Sequence, residues 1–242
     1  MNEIRIQVVN LVKEYTQGEQ LIMALDHICF SIASGEFISI TGRSGSGKST
    51  LLNVLAGLTI PTSGSVLLEG KDLFTLSDDE ISMYRNSRIG CVPQVSSILA
   101  NLTVLDNVRL PFHLAKRKGD SSVEALRLLR LVGIEKLAAR MPKRLSGGQL
   151  KRVVIARALM NEPDFLFADE PTGDLDAQTT EEIISVFKKM TDEGVAVLMV
   201  THDLDVTEYT DSRYKMDRGV LSEIQRNTCN CTLSLNTCKC TE

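Results

Sequence analysis

No apolar run in this chain reaches the roughly 18 residues that a membrane-spanning helix requires. The longest, such as Val195-Ala196-Val197-Leu198-Met199-Val200, fall far short, so direct insertion into a bilayer is not expected. The opening Met1-Asn2-Glu3-Ile4-Arg5 has neither the basic stretch nor the apolar stretch of a secretion signal, and the expected location is the compartment of synthesis, most simply the cytoplasm. A basic excess is missing too: the formal net charge is -4 at pH 7, which argues against a general nucleic-acid binder. The short run Lys116-Arg117-Lys118 reads as a solvated loop rather than a binding patch. There is no linker rich in Pro, Ser or Gly, no low-complexity tract and no internal repeat up to about Arg226. Residues 1–226 therefore read as one domain and 227–242 as a short tail.

What is present suffices for one large core, since 43% of the 242 residues are hydrophobic. Of the six cysteines, Cys29 and Cys91 stand singly within apolar segments, which predicts free thiols acting as small core residues. The other four, Cys229, Cys231, Cys238 and Cys240, form two C-x-C pairs near the end. Four such thiolates can chelate a soft ion, zinc or copper(I), although one intervening residue is tighter than the usual zinc spacing. Alternatively the two segments pair as a disulfide-joined hairpin, which a reducing cytosol disfavours. The remaining readings are an untethered end without an essential role and a segment that binds cargo or a partner; all stay open.

Along the chain, Ile4 to Val9 and Ile28 to Ile32 alternate apolar and polar residues, with Gly18 and Ser34-Gly35 as turn signals, which predicts an antiparallel β layer. Phe37-Ile38-Ser39-Ile40 predicts a buried strand that runs into a glycine-rich loop and a helix from Lys48 to about Leu58. Helical spacing recurs over Ser122 to Leu131, and another helix is expected after Ser146-Gly147-Gly148 as far as Met160, so the middle section reads as a helical insert. Phe165 to Ala168, a helix around Thr180 to Met190, and Val195 to Val200 then give strand, helix, strand. Short, wholly apolar strands separated by helices indicate a parallel sheet covered on both faces, and hence an α/β fold.

Gly42-Arg43-Ser44-Gly45-Ser46-Gly47-Lys48-Ser49 fits the P-loop pattern in full and lies where that motif must, between a strand and a helix. The glycines let the backbone curl so that successive N–H groups face phosphate oxygens, and the helix N-terminus adds its positive dipole end. Lys48 brings a charge to the β- and γ-phosphates, the Ser49 hydroxyl can ligate magnesium, and Thr50 follows in the same phosphate-binding run. The strand Phe165-Leu166-Phe167-Ala168 ends in Asp169-Glu170. Asp169 suits magnesium, directly or through water, and Glu170 adds a carboxylate that can polarise a water aimed at the γ-phosphate. The plainer reading of both acids is a solvated strand end or a helix cap.

Kinases, GTPases, helicases and transport ATPases share these features. Leu145-Ser146-Gly147-Gly148-Gln149, followed by Leu150-Lys151-Arg152-Val153-Val154-Ile155-Ala156-Arg157-Ala158-Leu159, resembles the signature segment of the ABC ATPases. Alone, Ser-Gly-Gly also reads as a helix N-cap after a turn. The order Tyr15, P-loop, Gln94, signature, Asp169-Glu170, Gly173-Asp174-Leu175-Asp176, His202 matches that family over nearly the whole chain to about Leu221. The resemblance implies a P-loop NTPase core of RecA type with a parallel sheet, an N-terminal antiparallel β subdomain and a helical signature subdomain, using ATP and Mg2+. It implies that Tyr15 stacks on adenine, that Gln94 touches magnesium and the attacking water, and that His202 hydrogen-bonds the γ-phosphate. Ser146, Gly147 and Gly148 of one subunit would contact the γ-phosphate held by a second ATP-binding subunit, most simply another copy, with Asp176 at that interface.

The segments Tyr15-Thr16-Gln17-Gly18 to Ala24-Leu25-Asp26, Gly35-Glu36-Phe37 and Ala168-Asp169-Glu170-Pro171-Thr172-Gly173 look like the branch of macrolide-exporter, lipoprotein-release and antimicrobial-peptide-export ATPases. That branch implies a separately encoded transmembrane permease, attachment at the cytoplasmic face of the membrane, and export of peptide, lipopeptide or amphipathic small molecules. Asp174 stands where the branch often has asparagine, and the surroundings of Gln94 (Val92-Pro93, Val95-Ser96-Ser97) lack its frequent aromatics. The rival expectation is a soluble ABC ATPase acting on ribosomes or DNA. The single cassette, compact middle section and acidic balance speak against it.

Overall fold

The computed structural model of the protein describes residues 3–226 except 19, 96 and 174. The expectations for Asp174 and for the four tail cysteines lie outside the described residues. Two long strands, β1 (Ile4–Gln17) and β2 (Gln20–Ala33), pair antiparallel around Gly18, whose φ of 64° closes the turn. Joined by β4 (Ser63–Leu68) and β5 (Lys71–Asp72), they form a four-stranded sheet in the order β2-β1-β4-β5.

The second sheet is the core of the molecule. Its strands are β3 (Phe37–Thr41), β6 (Ile89–Val92), β7 (Phe165–Asp169), β8 (Ala196–Thr201), β9 (Ser212–Asp217) and β10 (Val220–Arg226), ordered β10-β9-β3-β8-β7-β6. The pairs β9-β3, β3-β8, β8-β7 and β7-β6 are parallel, and β10 returns antiparallel at the edge. Every residue of β3 and β8 is buried, and alternate side chains feed two different cores. Ile38, Ile40, Phe165, Phe167, Leu198 and Val200 pack with the antiparallel sheet and α1 (Lys48–Leu55), whereas Phe37, Leu166, Ala168, Val197 and Met199 pack with the helices opposite. Two covered faces explain why these strands read as continuous apolar runs rather than alternating ones. Each fully buried side chain of this size is worth about 1.5–3 kcal/mol.

After α2 (Asp78–Arg88), the insert between β6 and β7 consists of α3 (Val104–Leu114), α4 (Ser122–Leu131) and α5 (Gly147–Ala158), which share one apolar core; α6 (Ala177–Asp192) precedes β8. Among the described residues no helix is long and apolar enough to cross a membrane. Lys116-Arg117-Lys118 is exposed, with Arg117 lying 5.1 Å over the Phe112 ring. The two cysteines are free thiols as expected but are not core residues. Both Cys29 and Cys91 are exposed, because each takes the outward-facing position between buried neighbours of its strand.

Candidate nucleotide site

The parallel strands bring the motifs to one edge of the sheet. Thr41 pairs with Thr201, Asp169 with Val200 and Val92 with Ala168, so the P-loop, His202, Glu170 and Gln94 all leave the C-terminal ends of adjacent strands. In open α/β sheets that end is where ligands bind.

In the P-loop, Gly45 (φ 77°) and Gly47 (φ 107°) adopt left-handed conformations. A Cβ at Gly47 would lie 2.2 Å from the Ala24 carbonyl oxygen, and one at Gly42 would lie 2.3 Å from that of Met216. The curl thus requires glycine for space as well as for torsion. Lys48 is 8% exposed, and its Nζ donates to the Gly42 and Arg43 carbonyls at 2.7 and 3.0 Å, holding the ammonium over the loop. Ser46 Oγ is buried with no hydrogen-bond partner among the described residues. An orphaned hydroxyl in a glycine cradle, a lysine over it and two carboxylates at the end of β7, two strands away, fit a magnesium-bound nucleotide triphosphate. Ser49 follows Lys48 in the first turn of α1, with Thr50 beside it, and Asp169 closes β7.

Glu170 turns sharply out of β7. Its φ of 46° is uncommon for a residue with a side chain, and its N–H still bonds Val200 O at 2.9 Å, so the turn is fixed from the neighbouring strand. The carboxylate meets His202 Nδ1 at 2.9 Å. This pairing raises the His202 imidazole above its ordinary value of 6.5, first through the hydrogen bond and then through the carboxylate charge, with the Lys48 charge opposing. The glutamate is well covered, at 11% side-chain exposure, and the histidine is open at 72%. Gln94 is exposed, and its carbonyl accepts from Lys151 Nζ at 3.1 Å. Tyr15, 43% exposed on β1, has Lys13 Nζ 5.1 Å from its ring centroid.

Among the described residues, Ser146, Gly147, Gly148 and Asp176 make no hydrogen bond to Lys48, Glu170 or His202. Ser146 caps α5, its Oγ accepting from Gln149 N while Gln149 Oε1 accepts from Ser146 N, a reciprocal capping box. Ser146 and Gly147 are exposed, and Gly148 faces Thr179 and Leu175. Asp176 caps α6 through Thr179 N and Oγ1 at 2.9 and 2.7 Å. Sequence reasoning missed Lys151 and Lys13. A lysine three residues before Val154, on the face of the helix that carries its buried apolar residues, is the signal that was available for the first.

Comparison with known proteins gives the family. Residues 25–173, more than half of the chain, match the family described as ABC transporter. The chain is 40% identical over 216 residues to the macrolide export ATP-binding/permease protein MacB of Chlorobaculum tepidum, covering 89% of itself and 33% of that protein. It thus spans about a third of the length of that relative. It is also 40% identical over 220 residues to the ABC transporter ATP-binding protein MJ1508 of Methanocaldococcus jannaschii, covering 90% of itself and 98% of the relative. Among solved structures, the dimeric form of MJ0796, a bacterial ABC transporter cassette, superposes with a TM-score of 0.85 at 39% identity, over 91% of this chain and 99% of that one. A dimeric post-hydrolysis state of MJ0796 bound to ADP and Pi gives 0.82 at 37%, with the same coverage. The chain belongs to the ABC transporter family.

Proposed function

We propose that residues 1–226 act as one cassette that hydrolyses ATP between two copies of this chain and drives a transmembrane permease at the cytoplasmic face of the membrane. One observation carries the reading. Lys48, Glu170 and His202 converge at a single sheet edge, while the tip Ser146-Gly147-Gly148 points its capped helix end into solvent. A hydroxyl that accepts from Gln149 N can still donate its own proton, so Ser146 is able to cap its helix and bind a phosphate oxygen at once.

In this mechanism the backbone N–H groups from Gly42 to Thr50 hold the phosphates, and Lys48 shifts from the loop carbonyls to the β- and γ-phosphates. Tyr15 offers its open face to adenine, with Lys13 against the ring. Ser49, Asp169 and Gln94 would hold magnesium, whose charge screens the phosphates. Glu170 takes a proton from the attacking water. His202 leaves Glu170 for the γ-phosphate when nucleotide arrives, which frees the carboxylate for that task. The partner's signature tip and Asp176 close the site from the other side, and loss of the γ-phosphate opens the pair, a switch between two states.

Export of peptides, lipopeptides or amphipathic small molecules is the transport reading. It is supported by the likeness of the cassette to a third of the length of a macrolide export ATP-binding/permease protein. The test is ATP hydrolysis by the purified chain and by Glu170→Gln, with light scattering in ATP and magnesium. An ATP-trapped dimer that does not turn over is expected for the variant. Equal activity in both proteins, or a variant that stays monomeric with ATP bound, contradicts the reading.

A further inference from the structure

The helix that presents Ser146-Gly147-Gly148 to solvent also reaches back into its own subunit. Lys151, one turn into α5, is 6% exposed, and its Nζ donates to the main-chain oxygens of Gln94 at 3.1 Å, Glu170 at 3.3 Å and, at the outer limit, Pro93 at 3.5 Å. Further along the same helix, Arg157 Nη1 and Nη2 donate to Ser97 O and Oγ at 2.6 and 2.8 Å. Helix α5 therefore holds Pro93 and Gln94 through Lys151 and Ser97 through Arg157, and the Lys151 ammonium also touches the carbonyl of Glu170.

A buried ammonium is costly unless polar acceptors replace its water, and here the acceptors are carbonyls of the two segments that carry Gln94 and Glu170. The attachment matters because Glu170 sits at a φ of 46° after the last residue of β7. Its backbone is held by Val200 O on one side and by Lys151 on the other. An apolar side chain at position 151 can fill the same space but supplies no donor to either carbonyl.

We propose that Lys151 is a positioning residue for ATP hydrolysis. It fixes the main chain at Gln94 and Glu170 relative to the signature tip and so aims the hydrolysis machinery of its own subunit. The inference rests on the reading of Glu170 as the base. Lys151 touches no substrate and acts through those two segments.

The experiment compares steady-state ATP hydrolysis by the full-length wild type, Lys151→Met, Lys151→Arg and Glu170→Gln, with kcat expressed per nucleotide-binding site titrated and light scattering in ATP and magnesium. Lys151→Met is expected to lower kcat by about ten-fold or more, as for a misaimed reacting group. Its KM for ATP should stay within about two-fold. Lys151→Arg, which keeps a cation and donors, should recover most of the loss, and Lys151→Met in the Glu170→Gln background should still form the ATP-trapped dimer. A wild-type kcat in Lys151→Met overturns the proposal. So does a joint loss of kcat, nucleotide binding and dimer formation, which marks a purely structural role, and so does an Arg variant no better than Met. Full hydrolysis by Glu170→Gln would be a separate failure, visible without any Lys151 variant, and the inference would fall with the reading it rests on.

Discussion

The P-loop edge and the signature tip are built in opposite ways. At the first, Lys48 and Ser46 are almost wholly buried, and Glu170 is tied to His202 and the neighbouring strand. At the second, Ser146 and Asp176 spend their acceptors on their own helix turns, and the glycines beside Ser146 open onto solvent and α6. One half is a complete cradle within a single chain. The other is a solvent-facing helix N-terminus, and in the proposed mechanism it serves the cradle of a second chain rather than its own.

The largest effect should come from the cradle's chemistry. Glu170→Gln is expected to lower kcat by roughly 10²–10⁴-fold, the usual contribution of a positioned base, with ATP affinity retained. Phosphate release and titration with a fluorescent nucleotide measure the two quantities separately.

A pair of glycine substitutions separates the halves. In Gly47→Ala the new methyl would meet the Ala24 carbonyl oxygen at 2.2 Å, so nucleotide binding itself should be lost. Gly148→Asp places a carboxylate at the tip, where a Cβ meets Thr179 Cγ2 at 3.3 Å. It should leave single-chain nucleotide binding intact and abolish ATP-dependent association. Loss of nucleotide binding in both variants would break the comparison.

A subtler effect lies in the histidine. The raised value for His202 means that its pair with Glu170 is fully formed below pH 6.5 and is lost as pH rises through the raised value. Titration of the imidazole resonances by NMR should give a midpoint above 6.5 in the wild type and a lower one in Glu170→Gln. An unmoved midpoint would mean that the two side chains do not pair in solution.

The smallest effect belongs to a charge ring remote from both halves. Arg88 and Arg5 hold the Glu69 carboxyl at about 2, below its ordinary 4.5, while both arginines also pair with Asp164. The contribution of Glu69 is complete above pH 4.5 and declines as pH falls towards 2. Because Glu69 is half exposed, Glu69→Gln should cost only about 0.2–1 kcal/mol at pH 7 by urea unfolding, with kcat unchanged.

Much of the cradle was legible in the sequence because its parts are contiguous: the P-loop needs its glycines in order, and wholly apolar strands announce a doubly covered sheet. Helix α4 falls at Ser122–Leu131 as its periodicity indicates, while α1 stops at Leu55, ahead of Gly57 with its φ of 64°, rather than near Leu58. Strands β9 and β10 escaped notice although β9 alternates cleanly from Ser212 to Asp217, since charged residues occupy its outward positions. The exposure of Cys29 and Cys91 is not legible in the sequence, because apolar neighbours say nothing about which way a given strand residue faces. Lys151 was illegible as a contact because its acceptors are backbone carbonyls 57, 58 and 19 residues away.

The most direct test of a site shared between two chains is to mix two inactive proteins, Lys48→Ala with a damaged cradle and Gly148→Asp with a damaged tip. A mixed dimer joins the sound cradle of one to the sound tip of the other. The account predicts ATP hydrolysis on mixing that neither variant shows alone. A mixture as inactive as its components would contradict it.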